Sequence, residues 1–162
     1  MSRASHTKIE GAAALEAIFG YWPTFHDAEV LAVRLDRGAP DDSHTGPRLE
    51  AEVYVFEMTD QLEADGHYRL QKHALVTLGF VGIDNLTLTD FNHQNALGAI
   101  GLQDISDRQL ERLKWHVHFV GSFGMTASFL CDQVEVVGVR RLDEPPASTQ
   151  APRQLPPSAF IS

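Results

Sequence analysis

The chain has 162 residues, of which 43% are hydrophobic, and its 22 acidic and 13 basic residues give a formal net charge of −9. That length fits one domain with a core of ordinary size, so neither a disulfide nor a structural metal is required. The acidic balance argues against nucleic acid as a partner, because phosphate contacts need clustered Lys and Arg. No stretch approaches the roughly 18 apolar residues of a membrane span. The amino end lacks the apolar run of a signal peptide, so we expect a cytoplasmic protein.

Near the amino end, apolar residues recur at helical spacing. This pattern predicts a short amphipathic helix from about Lys8 to Phe19. Thr7 followed by Glu10 matches a capping box at its start. Gly20 stands at the position where a left-handed residue often ends a helix.

From His26 onward the hydrophobic period changes to two, which is typical of strands. The connections are too short for crossover helices, so antiparallel pairing is expected. The stretch 92–102 contains two glycines and is ambiguous between helix and loop. The prediction is an α+β, mainly β fold: an N-terminal helix packed on an antiparallel meander sheet of about seven strands. The sheet should be either strongly curved or split into two layers.

The composition changes after Asp143. Five of the eight prolines fall between Pro145 and Pro157. Proline has no N–H to donate to a sheet, so this segment should not extend the sheet. We predict one β-rich domain over residues 1–143 and a Pro-rich C-terminal tail over residues 144–162.

The sequence carries no motif for covalent catalysis or nucleotide binding. It contains neither a Gly-x-Ser-x-Gly elbow nor a Gly-rich phosphate loop. Cys131, the single cysteine, lies in an apolar strand pattern that favours a buried thiol over a reactive one. The Gly121–Gly124 stretch looks like a nucleophile turn, but a hairpin explains its glycines better. We expect a protein without catalytic residues or cofactor.

Eight histidines raise the alternative of a metal site. His116 and His118 are two apart in a predicted strand and share one face, a spacing that several metal sites use. His26 is the candidate third ligand, since a site needs at least three convergent ligands. A small metal-binding protein or metalloenzyme is therefore the second hypothesis. A third is an adaptor that forms a homo-oligomer through sheet edges.

Carboxylates are numerous enough to form a contact surface for a basic partner protein. The candidates lie in predicted loops and along the second strand: Asp41, Asp42, Glu50, Glu52, Asp60, Glu63 and Asp65. The alternative for the same residues is a solvated surface that keeps the protein soluble.

The most distinctive segment runs from Phe19 to Val30 and reads FGYWPTFHDAEV. It resembles the opening motif of the immunity protein 50 family of bacterial polymorphic toxin systems. In that motif a helix ending in an aromatic pair precedes a Phe-His-Asp-x-Glu-Val strand start. The stretches 78–88, 90–95 and 124–136 are similar to the same family. The resemblance implies a non-enzymatic protein that binds and neutralises a cognate protein toxin.

The motif residues also have a structural interpretation, which we prefer. Trp22 and Phe25 can seal the helix against the sheet. His26 and Asp27 can fix the first turn of the strand through side-chain hydrogen bonds to the backbone. Together with Glu29, these residues are predicted to identify the fold rather than the contact surface.

Overall fold

The computed structural model describes residues 8–38 and 46–146. Within these residues, one α-helix, α1 (Ala12–Phe19), precedes eight antiparallel strands that form a single open sheet. The strands are β1 (Glu29–Asp36), β2 (Arg48–Leu62), β3 (Tyr68–Val81), β4 (Asp84–Thr89), β5 (Ala96–Asp104), β6 (Trp115–Phe123), β7 (Thr126–Cys131) and β8 (Gln133–Arg141). The predicted fold class, mainly β with an N-terminal helix, is confirmed.

The strand order in the sheet is β4-β7-β6-β5-β1-β2-β3-β8. Two meanders, β1-β2-β3 and β5-β6-β7, make up its centre. At the edges, β8 pairs with β3 and β4 pairs with β7, and in the centre β5 pairs with β1, so the order departs from a simple meander at three places. The stretch 92–102, ambiguous in sequence, contains most of β5, which raises the number of strands from the predicted seven to eight.

The sheet folds over at the junction of β1 and β5, where Glu29 and Ala96 are the one pair in register. We call β1, β2, β3 and β8 the first half-sheet and β4 to β7 the second. Their inner faces meet through buried aromatic rings. The Phe80 ring centroid lies 5.0 Å from that of Phe129 and 5.8 Å from that of Phe119. The core therefore lies between the half-sheets, as expected for a strongly curved sheet.

Strict alternation along β2 separates the core from the surface. Leu49, Ala51 and Val53 are fully buried between the half-sheets, whereas Glu50 and Glu52 lie on the opposite face. We call that opposite face the outer face of the first half-sheet. The acidic positions of β2 are therefore placed toward solvent by the same pattern that builds the core.

The helix begins at Ala12 rather than at Lys8. Its N-cap is Gly11 at φ 80°, and no side chain caps the first turn. A Cβ at position 11 would collide with the Val136 carbonyl oxygen of β8, so glycine is needed for this close approach. The backbone oxygen of Glu10 accepts a hydrogen bond from the Val136 N–H at 2.7 Å. The predicted capping box is therefore wrong at Glu10, and Thr7 lies outside the described residues.

The predicted end of the helix is confirmed. Gly20 adopts φ 82°, and its N–H donates to the Glu16 carbonyl at 2.6 Å. Leu15 and Phe19 are buried in the common core, so the helix closes one side of the space between the half-sheets.

Residues 147–162 lie outside the described residues, so the division between domain and tail stays a prediction. No helix in the described part of the chain is long and apolar enough to cross a membrane.

Asn95 holds the junction of the half-sheets and is the one buried polar side chain among the described residues. Its Nδ2 donates to the backbone oxygens of Val30 at 3.3 Å and Asn92 at 2.9 Å. Its Oδ1 accepts from the backbone N–H groups of Asn92 at 3.0 Å and Met125 at 3.1 Å. One amide thus ties β1 to the loop before β5 and to the turn between β6 and β7.

Replacing Asn95 with Ala should lower the free energy of unfolding by about 2–4 kcal/mol, because two backbone N–H groups lose their acceptor at a buried site. Urea denaturation measures this loss. Gln103→Ala, at an exposed position of β5, is the control and should change stability by less than about 0.5 kcal/mol. An Asn95→Ala loss no larger than the control's would contradict the role of this side chain.

Candidate partner-binding surfaces

The family-like motif forms the entry to β1. Phe25 is buried, and its ring meets that of Trp22 edge-on at 5.9 Å. Phe25 and Asp27 have φ values of 65° and 63°, so the chain turns sharply here. The turn is closed by a backbone bond from the Ala28 N–H to the Phe25 carbonyl at 3.1 Å.

His26 and Asp27 contribute differently from the prediction. Their side chains pair with each other, Nδ1 to Oδ2, at 3.1 Å and are 69% and 44% exposed. The turn depends instead on main-chain bonds, including one from the Asp27 N–H to the Leu97 carbonyl at 2.9 Å. The exposed pair is therefore available at the surface.

The two family-like stretches 19–30 and 90–95 meet at the junction of the half-sheets. The Leu97 N–H donates to the Ala28 carbonyl at 2.8 Å, and the Val30 N–H donates to the Asn95 carbonyl at 2.9 Å. These contacts explain why both stretches are distinctive, since together they define how β1 joins β5.

Glu29 lies on the outer face at this junction, beside Tyr54 on β2 and Ala96 on β5. Burial raises the pKa of its carboxyl above the usual value, while a hydrogen bond from the Asn95 N–H and the nearby His93 act in the opposite direction. No ion pair between described residues includes Glu29. It is a half-buried carboxylate without a matching cation.

Glu29→Gln should be at least as stable as wild type at neutral pH. A carboxyl with a raised folded pKa contributes stability that is present below its unfolded pKa, near 4.3, and is lost as the pH rises through the folded value. Gln keeps an acceptor for the Asn95 N–H but carries no charge. The difference in free energy of unfolding between the variant and wild type should therefore disappear toward a pH of about 4. Urea midpoints across this range measure the effect.

Glu52→Gln, on the same outer face, controls for the change in net charge. A Glu29→Gln variant less stable than wild type at neutral pH would show that the ionised carboxylate stabilises the fold.

Tyr54 and His73 form a neutral pair on the outer face. The Tyr54 hydroxyl and His73 Nδ1 are 2.5 Å apart, and the two rings stack with centroids at 5.9 Å. Burial raises the pKa of Tyr54 to about 12, and burial also lowers the pKa of His73. Both shifts favour the uncharged forms of the two stacked rings.

The predicted acidic contacts on β2 differ in their availability. Glu50 is held by Arg48, whose guanidinium also reaches Glu135, at distances of 3.0 Å and 2.6 Å. The guanidinium crosses over Gly79, where a Cβ would lie 2.7 Å from its Nη2. Glu52 is in none of the ion pairs of the described residues. Arg48 is thus shared by two carboxylates, so the charge of Glu50 is partly balanced within the chain.

The other predicted contacts separate into two groups. Asp60, Glu63 and Asp65 lie together on the β2–β3 hairpin and are all exposed. Asp41 and Asp42 fall outside the described residues. The hairpin therefore gathers the largest group of predicted contact residues that the structure describes.

Sequence analysis missed the apolar side chains on the same hairpin. Met58, Leu62 and Tyr68 are 51%, 66% and 51% exposed. They fall in or beside a run that the sequence marks as polar. Their spacings of 4 and 6 residues keep the period of two, and three acidic residues lie among them, so the sequence did contain a signal for this face.

The histidine pair lies on the outer surface of β6. The rings of His116 and His118 are 4.0 Å apart between centroids, and His116 Nε2 lies 3.3 Å from the Ser128 hydroxyl. Burial, followed by the charge of His118, lowers the pKa of His116. His26 is not brought to this pair: no three metal-binding side chains converge among residues 8–38 and 46–146. The metal hypothesis gains no support.

Cys131 is fully buried at the end of β7, and burial raises the pKa of its thiol to about 12. We expect a thiol-specific reagent to leave the native protein unmodified at mildly alkaline pH and to label one thiol per chain in denaturing urea, because only the exposed thiolate reacts. Rapid labelling of the native protein would contradict the burial.

A family model described as Immunity protein 50 matches residues 11–142. The match begins just before α1 and ends just after β8, so it includes every element of the described fold. The chain belongs to the immunity protein 50 family. Comparison with curated proteins and with solved structures gave no match.

Proposed function

We propose that this chain is a non-enzymatic immunity protein that neutralises a cognate bacterial toxin by binding it directly in the cytoplasm. The family match over residues 11–142 is the observation that carries this proposal. The two meeting stretches 19–30 and 90–95 support it, because the segments that resemble the family in sequence also build the junction on which this sheet depends.

The charge of the chain supports a basic partner. With a net charge of −9, the protein attracts a positively charged domain over a distance of about 10 Å at ordinary salt. Such attraction accelerates association and disfavours acidic partners. A rapid, selective encounter suits a protein that must capture its toxin before damage occurs.

Purified protein should form a tight complex with the toxin domain encoded beside its own gene. The association rate should fall as salt rises, because the charges that steer the encounter are screened. Surface plasmon resonance over a salt series measures both quantities. An immunity protein of the same family encoded with a different toxin is the control, and the absence of a complex with the neighbouring toxin would contradict the proposal.

The same toxin also distinguishes inhibition by binding from enzymatic inactivation of the toxin. Inhibition by a binding protein should be complete at one immunity protein per toxin and should be reversed when the complex is dissociated. Lasting inactivation of many toxin molecules by one immunity protein would show an enzyme instead.

A further inference from the structure

The β2–β3 hairpin extends beyond the rest of the sheet. Pairing of β2 with β1 reaches no further than Tyr54, opposite Glu29. Pairing of β3 with β8 reaches no further than Ala74, opposite Arg141. Residues 57–71 therefore pair only with one another among the described strands. We call this two-stranded ribbon the arm.

One face of the arm is apolar and exposed. Met58 lies opposite Leu70, and Leu62 lies opposite Tyr68. Tyr68 and Leu70 are two apart on one strand, so all four side chains share a face. Three of them are at least half exposed. Single apolar residues are ordinary on a surface, but a contiguous row of them marks an interaction site.

The arm is also acidic. It contains four carboxylates and one cation, which leaves a net charge of −3. Asp60 is in none of the described ion pairs. Glu63 lies 3.9 Å from Arg69, and both side chains are more than half exposed, so this pair is weak. Asp65 lies 3.3 Å from His67, and both of these side chains are also exposed, so the acidic side chains at the tip remain accessible to a partner.

The base of the arm is clamped to the end of α1. The Tyr21 hydroxyl donates to Glu57 Oε1 at 2.6 Å, and Lys72 Nζ lies 3.3 Å from Glu57 Oε2. Lys72 Nζ also donates to the Phe19 carbonyl at 3.3 Å. A two-stranded ribbon is marginally stable alone, so these bonds hold it in one direction. A pre-organised arm loses less entropy on binding.

We infer that the arm is the toxin-binding element, and that it docks into a cleft with apolar walls and a rim of Lys and Arg. This inference rests on the proposed function and adds the surface and the chemistry of its partner. A second copy of the chain is a poorer occupant, because two arms of charge −3 would repel each other. A cleft with apolar walls and a basic rim is complementary to both the apolar face and the acidic tip of the arm.

Two double variants test the arm against the toxin domain encoded beside the gene. Leu62→Ala with Tyr68→Ala should weaken binding by at least about tenfold, mainly through faster dissociation, because apolar contacts are lost. The control is Leu35→Ala with Val120→Ala, which removes side chains 56% and 50% exposed elsewhere on the sheet. The control should bind like wild type.

Asp60→Asn with Glu63→Gln should slow association by about threefold or more at low salt and make it less sensitive to salt. Asp107→Asn with Glu111→Gln, which removes the same charge from the turn region before β6, is the control. The replaced side chains are exposed, so urea midpoints should stay near wild type. The single variant Leu62→Ala replaces the apolar double variant if that one unfolds.

The outcomes are distinct. If wild type binds the toxin and the arm variants bind equally well, the inference is wrong and the proposed function stands. If wild type does not bind the toxin, both are wrong. If the arm variants change only self-association, measured by light scattering, the arm binds a second copy and the inference is overturned.

Discussion

The hydrogen bonds of Asn95 join two half-sheets whose strands share one register pair at the junction. Main-chain hydrogen bonds also link the segments there, among them those between Leu97 and Ala28 and between Val30 and Asn95, and the Asn95 side chain adds a bond to the turn between β6 and β7. Its amide satisfies two donors and two acceptors from three segments of the chain. Away from the junction, Phe80 and Phe129 face each other across the core with ring centroids 5.0 Å apart.

The junction and the arm are built mostly from different residues. Residues 19–30 and 90–95 resemble the family and are occupied largely by building the fold. The arm lies at the far end of β2, and its side chains contribute little to the core. The side chains of the arm are therefore less constrained by the fold than those of the junction.

The strands on either side of the core were predictable because burial on one face imposes a period of two, as in Leu49, Ala51 and Val53. The start of the helix was not predictable. The backbone of Glu10 is hydrogen-bonded to β8, and capping rules consider only the local sequence. Strand β5 was not predicted, because Gly98 and Gly101 made the stretch 92–102 ambiguous between helix and loop. The apolar face of the arm was missed although its spacing keeps the period of two, because the polar residues between Met58 and Tyr68 indicate a loop. The sequence does not show that Leu70 and Tyr68 lie across the ribbon from Met58 and Leu62.

The strand order has a consequence for how the chain folds. Each meander, β1-β2-β3 and β5-β6-β7, pairs strands that are neighbours along the chain, so both can form through short loops at small entropic cost. The pairing of β3 with β8 joins residues such as Ala74 and Arg141, which are far apart in sequence. It closes a large loop that contains the whole second meander. Loop-closure entropy therefore favours pairing within the meanders before the addition of β8.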